Sequence, residues 1–137
     1  MGSATPFIIA VLIVGVMILV AMFLTKKRAY HFNKEKYQTK FLAIENSLNK
    51  NNSATFMKTV IDGDKLLDKA MVELGIPGKT MGDRLKHSKD KFSDINAVWR
   101  AHKLRNALAH EDLEITYRQA FAALAIYKKA LKELGAI

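Results

Sequence analysis

The sequence predicts an all-α protein: one N-terminal transmembrane helix, then a small bundle of four to five helices. Three observations carry that prediction. Residues 6–24 form an unbroken apolar run, and the rest of the chain repeats apolar residues at spacings of three and four. No segment shows the two-residue alternation of a half-buried strand. Capping residues and glycines divide the periodic segments at lengths a bundle uses.

The apolar run, Pro6 to Leu24, reads PFIIAVLIVGVMILVAMFL. As a helix its nineteen residues span roughly 28 Å, close to the hydrocarbon thickness of a bilayer. It lacks the polar face that a core helix of a soluble domain carries. Gly15 stands alone, so no Gly-x-x-x-Gly pair argues for association within lipid. A cleaved secretory signal would be shorter and preceded by basic residues, whereas here the basic cluster Lys26, Lys27 and Arg28 follows the run. Pro6 occupies the position where N-myristoylation needs Ser or Thr. The tail before the run has no Lys or Arg, so the positive-inside rule places the N-terminus outside and everything from Lys26 onward in the cytoplasm. The resulting division is a short tail (1–5), a helix through the cell membrane (6–24), a basic juxtamembrane linker (25–36) and a cytoplasmic helical-bundle domain (37–137). The lipid bilayer is therefore the first expected partner. Lys34, Lys36 and Lys40 extend the basic stretch, and such a stretch is drawn to anionic headgroups.

All 22 Lys and Arg and all 13 Asp and Glu lie beyond residue 25, so that part carries the whole net charge of +9. A balance of that sign favours an anionic partner, either nucleic acid or a lipid surface. The chain has no cysteine, which excludes disulfides, zinc–thiolate sites and thiol nucleophiles. Asp62-Gly63-Asp64 begins like a calcium loop but lacks the later ligands and the distal Glu. No P-loop, dinucleotide fingerprint, Ser-His-Asp spacing or metal-ligand cluster occurs, and no cofactor or metal is implied.

Within the bundle, Tyr37, Phe41, Ile44 and Leu48 mark one helix over about 33–49. Ser53 is the expected cap of a second helix, 54–74, whose apolar line is Met57, Val60, Leu67, Met71 and Leu74. Asp64 falls in that line. A carboxylate there needs a partner, and Arg105 is the candidate, with a solvated rim position as the alternative. Thr80 with Asp83 resembles a capping box opening a short helix to about His87. Ser93 is the expected cap of the next helix, ending near Ala109 or His110. Thr116 with Gln119 forms a second box before a last helix, 117–134, expected to bury Phe121, Leu124, Tyr127 (or Ala125), Leu131 and Leu134.

The stretch Trp99 to Glu111, WRAHKLRNALAHE, concentrates the chemistry. At 100° per residue with His102 at zero, Arg105 falls near −60°, Asn106 near 40° and His110 near 80°. Trp99 shares that arc, while Ala97, Ala101, Leu104 and Leu108 line the other flank. Two apolar flanks mark this helix as the expected centre of the bundle. His102 and His110 stand two turns apart, too far to grip one metal ion without other ligands. Arg offers a permanent cationic fork for phosphate, and His moves protons near neutrality. Together they suffice for attack of an RNA ribose hydroxyl on its neighbouring phosphate without metal. One copy of Arg105–His110 supplies one imidazole; two copies across a two-fold axis would supply acid and base. A purely structural reading also stands, in which Arg105 neutralises Asp64 and His110 complements the helix C-terminus.

Arg105, the polar Asn106 and, after three residues, His110 resemble the motif of the HEPN family (higher eukaryotes and prokaryotes nucleotide-binding domain), late in a helix of a small all-α bundle. The resemblance covers roughly residues 33–134. It implies a metal-independent endoribonuclease that dimerises to form a composite site. Arg105, Asn106 and His110 would be catalytic, supported by Asp64, His102 and Trp99. Many members are instead inactive binding or partner modules, so RNA, a nucleotide, a second copy of the chain and an unknown protein partner are the expected ligands. A membrane-anchored member in a bacterium fits this chain. The chain departs from active members after His110, where Glu111 and Asp112 replace an apolar or aromatic residue.

Overall fold

A computed structural model describes residues 2, 4–25 and 30–137. Lys26, Lys27 and Arg28, the expected basic flank, lie outside the described residues. The chain divides into two compact units, one through His31 and one from Phe32 to Ile137.

The first unit is one helix, α1 (Ala4–Thr25), with no acidic or basic residue in either terminal turn. It is long and apolar enough to span a membrane, and none of that length is buried against protein. At 1.5 Å per residue its 22 residues cover about 33 Å.

The second unit contains five helices, with no strand among the described residues. α2 (Lys34–Ser47) is capped by Asn33, whose side chain accepts from the Lys36 amide at 3.1 Å. It therefore takes in Lys34 to Lys36 of the stretch read as linker. α3 (Ala54–Glu73) lacks its expected Ser53 cap: Ser53 already has helical backbone angles and makes no capping bond. Asn52 accepts from the Ala54 amide instead, at 3.1 Å. α4 (Met81–Lys86) is capped by Thr80 through the Asp83 amide. α5 (Ile95–His110) is capped by Asp94, not Ser93; the carboxylate accepts from the Ala97 amide at 2.9 Å and adds negative charge at the helix N-terminus. Ser93 bonds Glu133 of the last helix. α6 (Tyr117–Glu133) carries the full Thr116–Gln119 capping box. α3 and α6 both end in Schellman turns, with Ile76 N–H on the Met71 carbonyl and Ala136 N–H on the Leu131 carbonyl.

α3 packs against α2, α5 and α6 and is the most buried helix, displacing α5 from the expected central place. Val60, Leu67, Ala70 and Met71 are sealed against Phe41 of α2 and Leu124, Tyr127 and Leu131 of α6. α6 approaches closely because Gly63 has no side chain: a Cβ there would stand 2.7 Å from the Tyr127 ring. Two expected core residues are exposed. Met57 lies at the rim of α3, and Phe121 is 58 % accessible, stacked on Tyr117 at 6.0 Å. Phe121 sits about a quarter of a turn from the centre of the stripe that Ala120, Leu124, Tyr127 and Leu131 define, so the helix turns it outward.

Candidate functional site

Asp64 is the buried anchor of the site, 3 % accessible in the middle of the apolar line of α3. A lone carboxylate there would be costly, and the structure surrounds it with three partners. His102 Nδ1 lies 3.0 Å from Oδ1. Arg105 Nε lies 3.5 Å from Oδ2, an ion pair without hydrogen-bond geometry. The Tyr127 hydroxyl, from α6, is 3.2 Å from Oδ1 and 3.0 Å from the Ala101 carbonyl, so its one proton is shared between two acceptors. Asp64 thus pairs with Arg105, and the solvated-rim alternative falls away.

Asn106 closes the arrangement. Its Oδ1 accepts from Arg105 Nη1 at 3.0 Å, and its Nδ2 lies 3.2 Å from His102 Nε2. That orientation makes Nδ2 the donor and Nε2 the acceptor. His102 thus meets Asp64 through Nδ1 and Asn106 through Nε2. The four side chains form a ring running Arg105, Asn106, His102, Asp64 and back to Arg105.

The ring forms one wall of an open hollow of about 740 Å³. Trp99, His102, Arg105, Asn106 and His110 of α5 line that wall, so all five sequence-predicted residues of this helix meet on one surface. The remaining wall is Thr80 to Asp83, Lys86 and Asp68. His110, in the last turn of α5, is exposed. His102 is 8 % accessible and Arg105 and Asn106 are half-buried, so the hollow deepens from His110 toward His102. Trp99 stands edge-on to His102, with ring centroids 6.1 Å apart. The flanking Arg100 and Lys103 are solvent-exposed.

Two supports escaped the sequence reading. Arg84 of α4 is buried and forks onto Asp68 at 2.7 and 2.9 Å while donating to the Gly78 carbonyl at 2.6 Å. It fixes the second wall against α3. Nothing in the spacing marks Arg84, because its partners lie 16 and 6 residues away across a turn. Tyr127 follows the apolar line of α6 in the sequence, and only the Asp64 anomaly hints that its hydroxyl has a polar partner.

Burial first, and the neighbouring Asp64 charge second, push the Tyr127 phenol far above its ordinary range. A raised folded-state value adds stability below the unfolded pKa of about 10, lost as pH rises above it. The alkaline unfolding limb of the wild type should therefore be steeper than that of Tyr127→Phe. The same variant should cost about 1–2 kcal/mol at pH 7 through the lost hydrogen bonds. Urea titrations followed by Trp99, the one tryptophan, at pH 7 and above pH 10 check both.

Among the described residues, no group of three His, Cys, Asp or Glu is placed to hold a metal ion. No family model, no curated protein and no solved structure matches the chain. What fold and site define is a class: an all-α bundle with a membrane-length helix before it and an Arg-Asn-His hollow on one side.

Proposed function

We propose that the chain is a membrane-tethered, HEPN-like endoribonuclease whose hollow receives the phosphodiester of single-stranded RNA. Its N-terminal tail lies outside and the bundle faces the cytoplasm, on the charge asymmetry around the span. The observation that carries the reading is that Arg105, Asn106 and His110 open onto one solvent-reachable surface, with Trp99 beside them to stack a base. Asp64 aims the Arg105 guanidinium, which holds the phosphate and stabilises charge as it develops. His110 exchanges protons, and Asn106 positions the substrate. A homodimer belongs to the same proposal, since a twin would bring a second Arg105 and His110 to the surface.

A second reading has its own observation. The closed ring ties Arg105, Asn106 and His102 to one another and to Asp64 within one protomer, as a structural network would. On that reading the chain is a membrane-anchored interaction or nucleotide-binding module without turnover.

RNA incubated in chelator with the full chain in detergent separates the two. The nuclease reading expects cleavage that drops at least about 100-fold in His110→Ala. His110 is exposed, so that variant should melt like the wild type. Intact RNA with the wild type leaves the second reading.

A further inference from the structure

We propose that the outward face of α6 docks the bundle onto an anionic lipid leaflet. The proposal rests on the membrane tether of the reading above and not on RNA cleavage. It concerns residues far along the chain from the basic stretch that follows the span.

α6 buries one face in the bundle, through Ala120, Ala123, Leu124, Tyr127 and Leu131. The other face is open. At 100° per residue, Arg118, Phe121, Ala122, Lys129 and Lys132 all fall within about 60° of Ala125. All six side chains are exposed. Lys128 shares the arc and is turned to Glu45 of α2 at 3.0 Å. No acidic residue of α6 lies on the arc. Glu133 stands to one side and bonds Ser93, and the acidic run Glu111, Asp112 and Glu114 ends before the helix begins. Among the described residues, no acid forms an ion pair with Arg118, Lys129 or Lys132. Three cations held along one ridge repel one another in water and gain on meeting an anionic surface.

Phe121 gives the face an apolar anchor. At 58 % accessible it is the most exposed large apolar side chain described in the bundle. Tyr117 braces it from the preceding turn. A ring set among long cationic side chains suits the boundary between headgroups and acyl chains. The Lys and Arg stems can lie beside the ring while their heads reach lipid phosphates.

Shape favours a flat partner. Ala125 borders two shallow grooves, one toward α5 with Ala97 and Val98, one toward α2 with Glu45 and Leu48. α6 therefore stands proud between its neighbours. Arg118, Ala122 and Lys132 lie on that ridge, outside both grooves. A second copy meeting this face would set cation against cation. The hollow stays clear of the docked side. Ala97, in the groove beside α6, lies half a turn round α5 from Asn106 of the hollow.

The chain has no cysteine, so one introduced cysteine reports one place. The full chain is placed in nanodiscs of phosphatidylcholine, alone or with about a third phosphatidylserine. A spin label on Ala122→Cys reads the α6 face, and one on Lys103→Cys reads the exposed side of α5. Oxygen concentrates in lipid and a nickel chelate stays in water, so their collision rates tell the two environments apart. With phosphatidylserine, the Ala122→Cys label should gain oxygen collisions and lose nickel collisions. The Lys103→Cys label should stay aqueous, and in phosphatidylcholine alone both should. Each cation near an anionic leaflet is worth about fivefold in binding. Arg118→Gln, Lys129→Gln and Lys132→Gln together should therefore lower the docked-to-free ratio about 100-fold. Phe121→Ser should lower it about tenfold. These side chains are exposed, so the variants should melt like the parent.

An Ala122→Cys label that stays aqueous beside phosphatidylserine overturns the proposal and leaves the tether intact. So does lipid contact of equal extent in phosphatidylcholine alone, or docking that survives the triple variant. Shielding that appears only with added single-stranded RNA, or only with two chains per disc, gives the face to that partner and overturns it too. Chains that fail to enter the discs overturn the tether and the docking together.

Discussion

Asp64→Ala is expected to cost the bundle about 3–5 kcal/mol, the usual consequence of removing one partner from a buried ion pair. The substitution strands three groups at once. Arg105 Nε is already sealed from water, His102 Nδ1–H loses its acceptor, and the Tyr127 hydroxyl keeps only the Ala101 carbonyl. A domain of this size has on the order of 5–15 kcal/mol in total, so this one change takes a large share. Asp64→Asn keeps an oxygen for His102 but loses the charge against Arg105, and should cost roughly half as much. Urea unfolding of the full chain in detergent, followed by Trp99 fluorescence, measures both. Equal stability of Asp64→Ala and wild type would mean that the ring contributes nothing to the fold.

The second large effect concerns α1. Residues 6–24 contain thirteen Leu, Ile, Phe and Val, each favouring insertion by about 0.3–0.6 kcal/mol near the bilayer centre. Their sum is on the order of 5 kcal/mol. Lys at mid-span costs about 2.5–3.5 kcal/mol. Val14→Lys together with Ile18→Lys therefore swings the balance by about 7 kcal/mol, past zero. Carbonate extraction of membranes should leave the wild type in the pellet and release the double variant. Retention of the double variant would show that something other than α1 holds the chain to the membrane.

Local chemistry was the legible part of the fold. The Thr116–Gln119 box, Thr80 before α4 and the spacing of Val60, Leu67 and Met71 each read correctly because each signal lies within one or two helical turns. Cap identity failed where two candidates adjoined. Ser53 and Ser93 lost to Asn52 and Asp94, and one residue of backbone geometry decides which oxygen reaches the free amides. Phe121 misled because hydrophobicity alone does not say which neighbouring helix is present to cover a residue. For the site, Asp64 was readable as an anomaly, a charge on a buried line. What could not be read was depth: the sequence sets His102 and His110 on one arc of the helix, while the structure buries one against Asp64 and leaves the other in solvent. Arg84 and its fork onto Asp68 depend on a turn that brings α4 back over α3, and no local pattern encodes that return.

The proposed function requires the α5 hollow to bind the phosphate backbone of RNA through Arg105. Its most direct measurement is the affinity of a short 2′-O-methylated single-stranded RNA, which cannot be cut. The full chain is held in nanodiscs of uncharged lipid, so that headgroups do not compete. Quenching of Trp99 reads the hollow itself. Arg105→Ala should weaken binding at least tenfold, about 1.4 kcal/mol, and abolish the quench. Equal affinity and equal quenching in wild type and Arg105→Ala would contradict the account.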